Sequence, residues 1–273
     1  MKIYLAGGVT GNLISFWKEA MKIYLAGIQS RSSSCIIGKA KSFVIGENKP
    51  LILESFFYLQ KQNEWILKMK PFFGDFLLDS GAFTYMQGNG DKVNFEKYVR
   101  EYAKFINKHK IDLFFELDID IVVGIKEVER LRALLEKLTK KRCIPVWHKS
   151  RGKDYWLKMI KEYDYVAIGG IVSGEIKRKE APIFRWFLET AKKENCKVHA
   201  LGYTNLVGLT KYPFYSVDST AWLYGNRGGF LYHFNGQSIK QIKIPNKRLL
   251  GKPAAIHNFS EWVKFQKYAE LNL

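Results

Sequence analysis

The sequence predicts an α/β fold, a single parallel (β/α)8 barrel, and three observations carry that prediction. Short apolar runs alternate with amphipathic helical stretches along most of the chain, which is the pattern of successive βαβ units. Several of those runs end on a carboxylate, a histidine or a glycine pair, namely Asp79, Asp118, His148, Gly169-Gly170 and Asp218. A barrel assembles its active site from the C-terminal ends of its strands. A chain of 273 residues is also long enough for one such barrel without a second domain.

Taken in order, the chain opens with Met1-Lys-Ile-Tyr-Leu-Ala-Gly7, which recurs word for word from Met21 to Gly27. Only one copy can fill the first barrel position, so residues 1–20 read as a duplicated N-terminal extension or a loosely held arm. Residues 29–34 read as a polar loop. Residues 76–79 read as a strand. Residues 94–110 read as a helix with Phe95, Tyr98, Val99, Tyr102, Phe105 and Ile106 on one stripe. A strand at 111–118 and a helix at 126–141 follow, then a strand at 143–148, a helix at 154–163 and a strand at 165–170. Residues 181–194 read as a helix with Pro182 in its first turn, where proline is tolerated. Strands at 197–202 and 214–218 flank a short helix. With the N-terminal strand this gives about seven strands before a hairpin at 228–244, so an eight-stranded barrel with a distorted end fits. The competing fold is a doubly wound sheet, for which Gly7-Gly8-Val9-Thr10-Gly11 is a weak approach to the required glycine-rich turn.

Composition narrows the partners. Apolar residues make up 47% of the chain, ample for a core, and 44 Lys and Arg against 26 Asp and Glu give a formal charge of +18. That excess favours a polyanionic partner. Aromatic residues, at 15%, are abundant enough to stack on bases beside phosphate contacts, although most aromatics belong to cores. Cys35, Cys143 and Cys196 form no C-x-x-C pair, so neither a disulfide framework nor a cysteine-rich zinc site is expected. No apolar stretch approaches the ~20 residues of a membrane span. A cytoplasmic protein is the expectation.

Candidate chemistry follows the strand ends. Asp79 lies in Leu78-Asp-Ser-Gly-Ala-Phe-Thr84, where Gly81 permits a tight turn and Ser80 is placed to orient the carboxylate; an Asp capping a loop is the alternative. Glu116, Asp118 and Asp120 alternate, so on one strand they would share a face. Asp118 or Asp120 could accept hydrogen bonds from a guanine-like edge, or serve a metal or salt bridge. Gly169 and Gly170 bring backbone groups within reach of a planar ligand. Asp218 precedes Trp222 and the run Gly225-Asn-Arg-Gly-Gly229, in which Arg227 would hold a nearby carboxylate ionised or take a phosphate. His148 is a substrate-binding candidate of second rank. Lys149, Trp222, Asn226 and Arg227 are the candidates for nucleic-acid contact. His257 has no neighbouring cysteine, so a metal role is not expected.

Together and in order these segments resemble the tRNA-guanine transglycosylases, TIM-like barrels that exchange guanine for a 7-deazaguanine. Asp79-Ser-Gly-Ala-Phe resembles their D-S-G-G-F motif, and Gly169-Gly-Ile-Val-Ser-Gly-Glu175 resembles their G-G-L-A-V-G-E loop. Asp118 is similar to the Asp that reads the purine edge, and Asp218 falls where the nucleophilic Asp stands. His257-Asn258 matches a pair whose His binds zinc in the tRNA enzymes. The C-x-C-x-x-C zinc cluster is missing, so the resemblance is to the compact DpdA branch of phages and genomic islands, which acts on DNA and lacks the zinc-binding subdomain. Leu53-Glu-Ser-Phe-Phe57 and His257-Asn-Phe-Ser-Glu-Trp262 also look like that branch.

The resemblance implies Asp218 as nucleophile, Asp79 as acid/base, and Asp118, Ser80, Gly169, Gly170 and His148 around the base. It implies DNA in preference to tRNA as partner, a 7-deazaguanine such as preQ0 or a derivative as the incoming base, and no cofactor. A homodimer is left open. The rivals are a tRNA-guanine transglycosylase, a free-nucleoside deoxyribosyltransferase, whose opening strand Met-Lys-Ile-Tyr-Leu-Ala-Gly resembles, and a non-catalytic nucleic-acid-binding protein.

Overall fold

A computed structural model describes residues 21–28, 49–61, 68–81, 84, 93–203, 205–223, 230–243 and 251–273. Eight parallel strands succeed one another: β1 (Lys22–Ala26), β2 (Leu51–Ser55), β3 (Asp75–Asp79), β4 (Leu113–Phe114), β5 (Val146–Trp147), β6 (Tyr165–Ile168), β7 (Lys197–Ala200) and β8 (Ser216–Ser219). Each pairs with its sequence neighbour, and β1 also pairs with β8. The remaining seam, between β4 and β5, is joined by a parallel bridge of Phe115 to Ile144. There Glu116 N donates to Ile144 O at 3.0 Å and Ile144 N to Phe114 O at 2.8 Å. The fold is a TIM-like (β/α)8 barrel, and the doubly wound alternative, with its two free edges, is set aside.

Alternation along the strands divides the core in two. Tyr24, Leu53, Leu77, Phe115, Val146, Tyr165 and Ala167 fill the barrel interior. Residues of opposite parity, among them Ile23, Leu25, Ile52, Leu78, Val166 and Val217, meet the helices outside. Those helices include α1 (Phe56–Leu59), α2 (Phe95–His109), α3 (Asp120–Val123), α4 (Ile125–Thr139), α5 (Gly152–Glu162), α6 (Ile183–Lys193), α7 (Leu206–Lys211) and α8 (Gly251–Asn272). In α2 the expected stripe from Phe95 to Ile106 is buried. Asn94 caps its start by accepting from Lys97 N at 2.9 Å, and Lys110 ends it in the left-handed region at φ 49°.

Two details differ from the sequence reading, and one choice that it left open is made. Leu51–Ser55 supplies a complete strand that the sequence pattern had not shown, because its buried face and its mouth residues follow a long stretch without helical period. The expected strand at 111–118 contracts to Leu113–Phe114, with the bridge at Phe115. The second Met-Lys-Ile-Tyr-Leu-Ala-Gly copy forms β1, while the first copy and Cys35 lie outside the described residues.

The hairpin of β9 (Phe230–Phe234) and β10 (Ile239–Lys243) packs on α8, whose side chains occupy its backbone groups. Asn258 Oδ1 accepts from Tyr232 N at 2.8 Å and Glu261 Oε2 from Phe234 N at 2.7 Å. His257 Nε2 lies 2.8 Å from Tyr232 O, so this histidine is spent on the hairpin. Among the described residues no helix is long and apolar enough to cross a membrane.

Candidate active site

The C-terminal ends of the strands open on one mouth, and four carboxylates gather there, Asp79, Asp118, Glu175 and Asp218. Asp79, the last residue of β3, faces inward and accepts from Gly81 N at 2.9 Å. Gly81 has φ +82°, and a Cβ there would lie 2.4 Å from Phe57 Cβ, so both its conformation and its space demand glycine. The loop is anchored from behind by Tyr98 Oη, which donates to Ser80 O at 2.7 Å. Tyr102 Oη reaches Leu78 O at 3.1 Å. Ser80 is wholly buried and, by alternation, points away from the Asp79 side; it anchors the loop, and the Gly81 amide does the orienting expected of Ser80.

Burial is the main reason the Asp79 carboxyl is pushed up to about 7, and the nearby charges of Asp118 and, less strongly, Asp218 add to it. The Gly81 amide and Ser55, its cross-strand partner on β2, pull the other way without cancelling the rise. Like charges crowded at a half-buried site raise the acid's pKa, since only one can be ionised cheaply.

Asp118 and His148 are brought together from 30 residues apart: His148 Nε2 stands 3.1 Å from Asp118 Oδ2, and Nδ1 stands 3.3 Å from Glu175 Oε1. Burial alone would lower the His148 pKa, but the Asp118 hydrogen bond and the charges of Asp118, Glu175 and Asp120 raise it to about 9. At neutral pH the ring is therefore an imidazolium donating to both carboxylates. Gly169 makes room for it, since a Cβ there would sit 2.7 Å from His148 Cε1. Gly170, at φ +75°, lies against the Glu175 side chain. The backbone groups expected to face a planar ligand are partly engaged within the fold: Gly169 N donates to Trp147 O at 2.8 Å, and Gly170 O accepts from Ile176 N at 3.1 Å. The glycine pair is thus first a device for seating His148 and Glu175.

Asp218 on β8 is buried, and Oδ1 accepts from Gly202 N at 2.7 Å and faces His199 Nε2 at 3.2 Å. His199, on β7, and Glu175 were missed as site residues by the sequence reading. The signal for His199 was present: in Lys197-Val-His-Ala its inward parity places it in register with Ser216 on β8.

The remaining candidates separate. Glu116 and Asp120 do not share a face with Asp118, because the strand ends at Phe115 and the chain turns into α3. Glu116 points outward, fully buried, and accepts from Arg132 Nη1 at 3.2 Å, Arg151 Nη1 at 2.8 Å and Val146 N at 2.7 Å. Arg151 also grips Asp120 with two nitrogens. Trp222, expected to stack on nucleic acid, is 0% exposed; its Nε1 donates to Ala26 O at 2.9 Å and its ring packs on Phe259, so it offers no stacking face. Lys149 is exposed on the rim and pairs with Glu180 at 2.7 Å. Asn226 and Arg227 lie outside the described residues. Among the described residues no cluster of His, Cys, Asp or Glu is arranged to hold a metal ion. A groove of about 500 Å³ at the opposite end, between α6, α7 and Leu273, is lined by none of the candidate residues.

No protein-family model and no curated protein matches the sequence. Solved structures do match in shape. The carboxyl transferase domain of Rhizobium etli pyruvate carboxylase is 16% identical with a TM-score of 0.50, over 94% of this chain and 50% of that one. This chain therefore spans about half the length of that match. A candidate fructose-1,6-biphosphate aldolase from Coccidioides immitis is 9% identical with a TM-score of 0.50, over 92% of this chain and 88% of that one. At such identities the likeness is one of fold, a barrel on which enzymes of unlike chemistry are built.

Proposed function

We propose that the protein is a transglycosylase that exchanges guanine in DNA for a 7-deazaguanine through a covalent glycosyl-aspartate. One observation carries this reading: at a single barrel mouth, an acid poised near neutrality, Asp79, stands within electrostatic reach of Asp218, a carboxylate held by hydrogen-bond donors on one oxygen. Base exchange needs that division of labour.

Asp218 attacks the anomeric carbon, the bond to guanine breaks, and its electron pair leaves with the base as Asp79 supplies the proton. The glycosyl ester on Asp218 is then displaced by the incoming deazapurine, whose proton returns to Asp79. Two inversions give net retention, as in a retaining glycosidase with a base in place of water. Asp118, with His148 behind it, accepts from the N–H groups of a purine edge in this reading, which its position 3.1 Å from His148 Nε2 supports. Water must be kept out, or the ester would hydrolyse to an abasic site.

A formal charge of +18 supports a nucleic-acid substrate. So does the rim, where Lys149 after β5 and Lys177, Arg178 and Lys179 after β6 are exposed, Val172 in the same segment after β6 is 69% exposed, and α3 and α7 expose Ile121 and Val207. Apolar side chains beside cations suit a duplex whose target base has left the stack.

The test is incorporation of labelled guanine into duplex DNA, single-stranded DNA and tRNA, with Asp218→Asn as control. Asp218-dependent label in DNA is the expected result. Label in tRNA alone would transfer the activity to RNA, exchange on free deoxynucleosides alone would make it a deoxyribosyltransferase, and DNA binding without label would leave a binding protein.

A further inference from the structure

Tyr165, Ser216 and His199 form a single hydrogen-bonded file through the barrel interior that ends on Asp218. Tyr165 Oη lies 2.6 Å from Ser216 Oγ, Ser216 Oγ lies 2.6 Å from His199 Nδ1, and His199 Nε2 lies 3.2 Å from Asp218 Oδ1. Ser216 and His199 are 0% exposed. The ring of His199 is walled by Phe115 at 5.2 Å and Tyr24 at 6.2 Å between centroids.

Inward positions of such barrels are ordinarily filled by branched apolar side chains, and a polar group there is tolerated only when bonded. Here every partner is polar, and the donors can be assigned. An ionised Asp218 only accepts, so Nε2 carries the proton. If the ring is neutral, Nδ1 is an acceptor and Ser216 fills it with its own O–H. Ser216 Oγ in turn accepts from Tyr165, whose phenol burial keeps protonated. In that tautomer every donor in the file points the same way, toward Asp218.

We infer that Tyr165, Ser216 and His199 are positioning residues for Asp218: they hold His199 as the neutral Nε2–H tautomer, which with Gly202 N pins Oδ1 and turns Oδ2 toward the sugar. Among the described residues Oδ2 receives no hydrogen bond. The inference rests on Asp218 being the nucleophile. It adds a device that the acid–base pair does not require: a carboxylate free to rotate would present either oxygen, and a misplacement of about 1 Å at a reacting atom costs about 100-fold in rate.

Two measurements test it. Nitrogen-15 spectra of the histidine-labelled protein, which has five histidines, should show the His199 ring at pH 7 protonated on Nε2 only, assigned through its loss in His199→Gln. An imidazolium or an Nδ1–H ring overturns the inference. In labelled-guanine exchange into DNA, His199→Leu should lower kcat about 100-fold with KM little changed. His199→Gln, whose amide N–H can reach the place of Nε2–H, should recover most of that loss, and Ser216→Ala should fall between wild type and His199→Leu. Should His199→Leu fail to fold, Ser216→Ala and His199→Gln still decide the point. Wild-type kcat in Ser216→Ala and His199→Leu, with Asp218→Asn inactive, would overturn the positioning role and leave base exchange standing. A wild-type protein that exchanges no base would overturn the base-exchange reading itself, before any variant is made, and the positioning role with it.

Discussion

Glu116 and Asp118 leave the end of β4 two residues apart and enter opposite surroundings. Glu116 lies between the barrel wall and the helices with no exposure, and it meets Arg132, Arg151 and the Val146 amide. Arg151 then continues to Asp120. The cluster spans the seam where β4 and β5 share only one bridge, so its side chains supply the joining that short strands do not. Asp118 opens on the mouth, where the described cationic partner is a histidine and the next charges are Asp79, Glu175 and Asp218. Carboxylates matched by arginines hold a structure together, whereas carboxylates set against one another keep a reactive group near its working pKa at some expense of stability.

The sharpest break of this comparison is Asp218→Asn, which should lower base exchange by about 10⁴-fold or more while leaving the fold intact, as read by single-turnover label transfer and circular dichroism. On the structural side, Arg151→Leu strips Asp120 of the guanidinium that grips it and leaves Glu116 with Arg132 as its one remaining cation. It should cost about 3–5 kcal/mol in urea unfolding, and equal stability in that variant would mean the cluster is not a fastener.

His148 lies between the two cases. Its pKa is raised from 6.5 to about 9, so its stabilising bonds are fully present below pH 6.5 and are lost as pH rises through about 9. His148→Phe should therefore lose about 2 kcal/mol at pH 6 and much less at pH 10, with unfolding midpoints at the two pH values as the measurement.

The smallest effect has the opposite sign. Asp79 is raised from 3.8 to about 7, so the folded state holds a proton that the unfolded state has released. Stability then falls between about pH 4 and pH 7, and Asp79→Asn should remove that fall. The gain should be on the order of 1 kcal/mol at pH 8, after screening at the open mouth, and should vanish toward pH 4. Formation of the glycosyl-enzyme should decline as pH passes about 7 in the wild type. Asp118→Asn should move that limb to lower pH, because Asp118 is the leading charge behind the rise.

Much of the architecture was legible because parity and period are local properties. The stripe of α2 and the strand ends at Asp79 and Asp218 could be read from neighbouring residues alone. Trp222 was misread for a tertiary reason: an indole ahead of a glycine-rich run looks exposed until Ala26 O and Phe259 close over it. Gly169 looked like a ligand-facing turn, and its crowding by His148 is visible only when β5 and β6 lie side by side.

By itself, then, the sequence determined a parallel barrel, a basic surface and acidic residues at successive strand ends, because alternation and charge are written residue by residue. The tertiary structure decided which acids are neutralised and which are left facing one another. Arg151 stands 35 residues from Glu116, and His148 stands 30 from Asp118. Desolvation and partnership between such groups exist only after the strands have closed into a ring, and they set the state of each carboxyl.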